Sequence, residues 1–500
     1  MERAMSVRSS MGSGRVRAVA VLVVMSGFAA CGGPPPLDET QVKDWVDILY
    51  PLPKAERLSP PVSARMISYA GLAMYEALRH SEPGAQSLSA SVQGLAPIPE
   101  PGEGEHDWSV VAAAAERSVL SGMLEAYALP STMVQIDTIF EAQIERRRAL
   151  GVSEETIDRS LAYAEQISAV ILEREATDGF MATRPLTYDL PRGEGIWINT
   201  TTLEEYAPIS ASEASQFVRR NNPSAALIPG ASNARRTLLD RPSGAGEILP
   251  DIDPTEPLEP HWGQLLPWGM TDLATCRPPA PHPYSTDPES PFWAEVMTVY
   301  ETSMTLTAEQ RDIANFWADN PGATGTPPGH WVAIMRQMIV QLDLTPFEAA
   351  RMFAVTSMAL NDAFISAWDE KYKEMGVRPV SFIREHVNPE WETVVVTPPF
   401  PEYTSGHSVA SGAASTVLTA LLGAVPYMDS THVANGFAPR PYADFDEAAK
   451  EASQSRIYGG IHYPMAADNG LAQGQCVARQ LLDRTGISAG AGSNRIAGAN

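Results

Sequence analysis

Seven residues suited to holding and reacting with an anion fall in three short segments of the C-terminal third. Trp368-Asp-Glu-Lys371-Tyr372 leads to Arg378-Pro379. Pro398-Pro-Phe400-Pro-Glu-Tyr403-Thr404-Ser405-Gly406-His407-Ser408 follows, and then Ser455-Arg456-Ile-Tyr-Gly-Gly-Ile-His462-Tyr-Pro. Lys371, Arg378 and Arg456 supply three cations. Arginine offers a planar fork matched to a tetrahedral oxyanion, and lysine a point charge. Ser405-Gly406 opens an apolar, small-residue run of helical character, whose N-terminus would present free N–H groups and a positive dipole end. Glycine there lets the backbone come close to a ligand. His407 and His462 could supply a nucleophile or ligand and a general acid–base. Taken singly, each has a bland reading: a solvated cation, a satisfied core histidine, a chance Ser-Gly-His. The joint order and spacing describe an oxyanion site able to do chemistry on its guest.

The segments resemble the vanadium haloperoxidase and type 2 phosphatidic acid phosphatase superfamily, in particular its chloroperoxidase-like branch. That pattern reads K-x6-R-P, then P-S-G-H, then S-R-x5-H-x3-D. Lys371 to Arg378-Pro379 fits the first motif, Ser405-Gly406-His407 the second and Ser455-Arg456 with His462 the third. Thr404 stands in place of proline, which would loosen the turn before Ser405, and Ala466 in place of the aspartate. The resemblance implies that Lys371, Arg378, Arg456, the Ser405 hydroxyl and the Gly406 N–H surround vanadate or phosphate. His462 would bind vanadium or attack phosphorus, and His407 would be the acid–base. Without the aspartate, His462 lacks its expected orienting partner; a backbone carbonyl or Asp468 would have to serve.

On this resemblance the leading reading is a vanadate-dependent haloperoxidase that oxidises halide with hydrogen peroxide to a hypohalous-acid equivalent, which a small organic acceptor takes up. Trp368 and Phe400 would line the halide pocket. The alternatives are a periplasmic acid phosphatase working through a phosphohistidine, with phosphate as its anion, and a non-catalytic anion-binding surface protein whose site has decayed. Asp319 and Asp362 are candidate partners for an arginine or histidine. Thr326-Pro-Pro-Gly329-His330-Trp331 reads as a turn entering a helix at Trp331, with His330 near the pocket mouth. His80, His106, His261, His282, His386 and His432 show no spacing that suggests a further metal site.

The elements that must position these groups read as helices. Apolar residues recur at threes and fours over Val62–Leu78, Asp107–Tyr127, Met133–Leu150 and Glu154–Asp178. Capping-box patterns at Thr307–Gln310 and Thr345–Glu348 start two more, the second with Pro346 at its first position and running to about Tyr372. Further helices are expected over Gly406–Leu422 and Ala466–Leu482. No strand-like alternation is sustained. The expected fold is all-α, a helical-bundle architecture in two bundle-like halves with long Pro-rich connecting segments. The expected divisions are a signal at 1–30, a helical region at 31–183, a wrapping segment at 184–291, the site-bearing helical domain at 292–485 and a tail at 486–500.

With 44% hydrophobic and 19% charged residues, most of this 500-residue chain should fold. A net charge of −24 excludes general nucleic-acid binding, which needs a basic face. Three cysteines exclude a disulfide-dense scaffold and a Cys-rich zinc site. Arg3, Arg8, Arg15 and Arg17 precede an uncharged stretch, Ala18–Ala30, too short to span a bilayer core of ~30 Å. Gly27-Phe28-Ala29-Ala30-Cys31-Gly32 resembles a bacterial lipobox, with Phe28 for the usual leucine. Cys31 would then be lipid-modified and the protein an exported lipoprotein, periplasmic or on the outer membrane or cell surface, touching the membrane only through that anchor. Export would let Cys276 and Cys476 form a disulfide; two buried thiols are the alternative.

Overall fold

The structure, a computed structural model, describes residues 35–126, 128–201 and 256–487. The signal, the lipidation cysteine Cys31, residues 202–255 of the wrapping segment and residues 488–500 of the tail lie outside these.

Seven helices occupy the first part: α1 (Gln41–Leu49), α2 (Pro51–Glu56), α3 (Pro60–Leu78), α4 (Trp108–Leu124), α5 (Pro130–Ala149), α6 (Glu154–Thr177) and α7 (Phe180–Thr183). Eight follow the irregular middle: α8 (Pro291–Thr305), α9 (Ala308–Phe316), α10 (Thr326–Gln341), α11 (Pro346–Glu374), α12 (Pro379–His386), α13 (Gly406–Leu422), α14 (Phe445–Tyr458) and α15 (Pro464–Thr485). The architecture is all-α with one small addition. Strands β1 (Tyr427–Asp429) and β2 (Arg440–Tyr442) pair antiparallel, Asp429 opposite Arg440. Three residues per strand are too few to register as alternation.

Helix starts follow local chemistry. Thr307 and Thr345 each close a full capping box, with Gln310 and Glu348. Ser59, Asp107, Ser153 and Ser405 each accept an N–H of the first turn of α3, α4, α6 and α13. Starts at Pro60, Pro130 and Pro464 fall two or three residues ahead of expectation, and one departs further. Helix α10 begins at Thr326, not Trp331, because prolines at the first positions of a helix give up N–H groups that would have no intrahelical partner.

Helix α11 runs through the centre, with α3 packed along it and α13 packed on α11, α14 and α15. Glycines set how closely these helices approach. A Cβ on Gly71 of α3 would lie 2.6 Å from Ser357 Oγ and 2.9 Å from Ala354 Cα on α11. Between α13 and α15 the contact is tighter: a Cβ on Gly474 would lie 1.9 Å from the Val409 carbonyl oxygen, and one on Gly412 2.3 Å from that of Leu471. This seam places the N-terminus of α13.

The described part of the Pro-rich middle forms only short 3-10 turns, Trp262–Gln264 and Leu273–Cys276 among them. It is tied to the helices at several points. Trp368 Nε1 and the Tyr372 hydroxyl donate to the Leu258 carbonyl. A disulfide joins Cys276 to Cys476 of α15. Asp362 is used here, contrary to the expectation that it partners an arginine or histidine. Its two oxygens accept the N–H groups of Trp268 and Gly269, each at 2.7 Å, because these peptide groups would otherwise be buried unpaired.

Two stability predictions follow from this packing. Gly474→Ala should destabilise the protein by at least the ~1–3 kcal/mol of core overpacking, read as a fall in urea midpoint. The second concerns Glu116 of α4, which is fully buried, its oxygens without a hydrogen-bond partner among the described residues. Burial pushes its carboxyl well above the usual range, so the folded state keeps the proton. Below the unfolded value both states are protonated and nothing is lost. As pH rises past it, the unfolded chain ionises first and the native state loses stability. Glu116→Gln should therefore flatten the fall in unfolding free energy between pH 5 and 8; an unchanged slope would show that Glu116 does not titrate this way.

Candidate active site

The site is built on the segment between α12 and α13. Lys371, in the last turn of α11, is fully buried, and its ammonium does not line the pocket. It donates to the carbonyls of Pro401 (3.0 Å), Glu402 (3.1 Å) and Thr404. Arg378, the residue before α12, donates through Nε to the Phe400 carbonyl (3.0 Å). Through Nη1 it reaches the Ile461 carbonyl (2.7 Å) and His462 Nε2 (3.1 Å). Thr404 does not loosen the turn: its hydroxyl donates to Gln473 Oε1 at 2.6 Å, and the Tyr403–Thr404 peptide is cis. Ser405 donates its N–H to the Ala466 carbonyl, and its hydroxyl oxygen caps α13 by accepting the Ser408 N–H.

The pocket encloses about 480 Å³, open solvent at its mouth included. Its polar lining includes Arg456, Asp319, His407, His462 and Gly406, and its apolar lining Phe364, Trp368 and Phe400. The Trp368 and Phe400 ring centroids are 4.9 Å apart. Arg456 donates to the Trp317 carbonyl at 2.5 Å. Its buried Nε, and Nε2 of His407, have no hydrogen-bond partner among the described residues. Buried polar groups of this kind carry a desolvation cost that a hydrogen-bonding anion in the pocket would offset. Gly406 at the start of α13 adds N–H groups and the dipole end. The residues fit an oxyanion such as vanadate.

The charge state suits that guest. Burial, then Arg378 and Lys371, hold His462 well below the usual histidine range, so it is neutral. Burial and Arg456 do the same to His407, against the pull of Asp319. Burial lowers Arg456 to about 10, still a cation at neutral pH.

The expected aspartate after His462 is replaced by a residue the sequence did not single out. His462 Nδ1 lies 2.8 Å from Glu402 Oε1, which also accepts the Tyr463 N–H at 3.0 Å. Neither a backbone carbonyl nor Asp468 serves; Asp468 is exposed on α15. The one signal available was a glutamate inside the second motif, three residues before Ser405.

A second buried network flanks the pocket. His330 is not at the pocket mouth; it is fully buried within α10. Its ring lies between Asp319 (Nδ1 to Oδ2, 2.9 Å) and Asp429 (Nε2 to Oδ2, 2.9 Å) and stacks on Trp317. Burial opposes its charge, but the two carboxylates outweigh burial and push it up to about 10. His432 joins the cluster, contrary to the expectation from spacing: Asn435 donates to its Nδ1, so Nε2 carries the proton and donates to Asp319 Oδ1 at 3.1 Å. Asp319 Oδ2 lies 4.0 Å from His407 Nε2. Asp319, His330 and His432 bring one ligand atom each within 4.8 Å of one another. As bonded here both rings give protons to carboxylates, so the cluster serves to hold Asp319 beside the pocket.

Fold and site together define an all-α protein with a cation-lined oxyanion pocket carrying two neutral imidazoles. The family model of the VCPO second helical-bundle domain matches residues 351–487. Vanadium chloroperoxidase of Curvularia inaequalis is 34% identical over 123 residues, a match covering 20% of this chain and 20% of that protein. The crystal structure of the first bacterial vanadium-dependent iodoperoxidase superposes with a TM-score of 0.74 at 28% identity, covering 92% of this chain and 99% of that one. A holo-type bacterial vanadium-dependent chloroperoxidase shares the fold, with a TM-score of 0.55 at 17% identity over 86% of this chain and 93% of that one. Residues 351–487 thus match the second helical-bundle domain of that family model, and the chain shares its fold with the vanadium-dependent haloperoxidases compared.

His330→Leu would leave Asp319 and Asp429 buried without the cation between them. The expected cost is about 3–5 kcal/mol by urea unfolding at pH 7. A loss under about 1 kcal/mol would show that the ion pairs contribute little beyond their desolvation cost.

Proposed function

We propose that this protein is a vanadate-dependent haloperoxidase, oxidising halide with hydrogen peroxide. The observation that carries the reading is one pocket lined by Arg456, the α13 N-terminus at Gly406 and two neutral imidazoles together with the apolar Trp368 and Phe400. Arg456, Arg378, Lys371, Gly406 and Ser405 would hold the anion or the backbone around it, with His462 as the vanadium ligand. Bound vanadate supplies the oxidation of halide by peroxide. His407, neutral and beside Asp319, would take a proton from the incoming peroxide and return it to the departing oxygen. Asp319 would favour the protonated imidazole that forms in between. Trp368 and Phe400 would offer a halide a surface from which water is largely excluded. The organic acceptor would meet the product at the pocket mouth.

None of the described helices is long and apolar enough to cross a membrane. Export and anchoring through Cys31 belong to the proposal, as does the division into a 31–183 region, a 184–291 wrapping segment and a 292–485 site domain. The same pocket would suit a phosphatase, with the bare Nε2 of His462 attacking phosphorus.

Both readings are tested together. The chain from Cys31 onward, stripped of anions, is titrated with orthovanadate while peroxide-dependent oxidation of iodide and bromide and hydrolysis of a phosphomonoester are followed. Halide oxidation that appears with vanadate, as hydrolysis falls, is the expected result. Hydrolysis without halide oxidation would move the assignment to the phosphatase, and neither activity in folded protein would leave an anion-binding role. His407→Ala should lower turnover by about 10²–10⁴-fold while sparing orthovanadate binding. Full turnover in that variant would remove His407 from the acid–base role.

A further inference from the structure

Glu402 sits on the segment that Lys371 and Arg378 hold, fully buried, sixty residues before the histidine it touches. Two contacts on opposite edges of the His462 ring decide where its proton lies. Arg378 Nη1 can only donate, so Nε2, 3.1 Å away, must be the bare nitrogen. The single proton of the neutral imidazole is then on Nδ1, facing Glu402 Oε1 at 2.8 Å. That oxygen also accepts the Tyr463 N–H, and the Glu402 N–H is itself bonded to the Gly376 carbonyl, so the carboxylate is fixed from both ends. A histidine that ligates through one nitrogen is oriented through the other, and loss of such a partner weakens binding about 10–100-fold.

We infer that Glu402 is the positioning residue for His462, taking the place left by Ala466 and presenting Nε2 to the bound anion. The inference rests on the reading of His462 as the vanadium ligand, and the same geometry would present Nε2 to phosphorus. Ala466 is not idle in this arrangement: its carbonyl accepts the Ser405 N–H, so α15 still meets the start of α13 through backbone where a side chain was expected.

The test has two readouts besides activity. Nitrogen-15 NMR of histidine-labelled protein reports the tautomer of each ring, with His462→Ala identifying its signal. Isothermal titration gives the affinity for orthovanadate. The native protein should show His462 protonated at Nδ1. Glu402→Ala should lose that preference and bind orthovanadate about 10–100-fold more weakly. Glu402→Gln, whose amide oxygen can still accept the Nδ1 proton, should keep the tautomer and most of the affinity. Glu402→Met removes the acceptor at similar volume and replaces the alanine variant if that one does not fold. A native His462 protonated at Nε2 would overturn the inference without any variant. So would a folded Glu402→Ala or Glu402→Met protein with native tautomer and affinity. If the native protein binds no orthovanadate, the haloperoxidase reading falls, while the tautomer measurement still decides for or against Glu402.

Discussion

Lys371 and Arg378 are buried cations whose hydrogen bonds go largely to backbone carbonyls of one short segment, Phe400 to Thr404. Charged donors make the stronger hydrogen bonds, and burial keeps water from competing for the carbonyls. That segment carries Phe400 into the pocket, sets Glu402 against His462 and delivers the chain to Ser405, where α13 begins. The first motif thus holds the second, and the second orients the histidine of the third. An arginine that touches both the Ile461 carbonyl and His462 Nε2 closes the circuit.

Such a site is costly to build, because burial, and after it the neighbouring cations, drive both pocket histidines neutral. The protein offsets this with two carboxylates, one behind the pocket and one in its lining. Glu402 lies behind His462, and Asp319 lies beside His407, itself held by His330 and His432. Burial pushes Glu402 up to about 7 even with Arg378 and the Tyr463 amide favouring its charge, a sign of how dry this part of the molecule is. Arg456 and the α13 N-terminus thus face the pocket together with Asp319, which suits an oxyanion flanked by a proton-transferring imidazole.

The seam between α13 and α15 is the mechanical counterpart. Gly412 and Gly474 remove the side chains that would keep the backbones apart, and Gly470 would place a Cβ 3.0 Å from the Ser405 carbonyl oxygen. The helix whose N-terminus faces the anion is thus positioned by close backbone contact, which leaves little freedom for sliding.

The sequence by itself determined the helices with strong local signals, because periodicity and capping are local: Thr307 and Thr345 announce their capping boxes, and the Gly406–Leu422 helix has the expected bounds, whereas helices such as Gln41–Leu49, Pro291–Thr305 and Phe445–Tyr458 were not singled out. It also carried the resemblance that the domain match over residues 351–487 supports, since the three motifs keep their internal spacing along the chain. Contacts between segments distant in sequence were decided only in three dimensions. Glu402 and His462 lie sixty residues apart, and Asp319, His330, Asp429 and His432 come from three separate stretches. No spacing rule links them, so Glu402 read as part of a loop and His432 as an unremarkable histidine. The start of α10 was misplaced for a related reason, since a Pro-Pro-Gly run reads as a turn until its neighbours are seen. Which side chain satisfies a buried polar group depends on which partners packing brings within about 3 Å. That is a property of the fold, not of the order of residues.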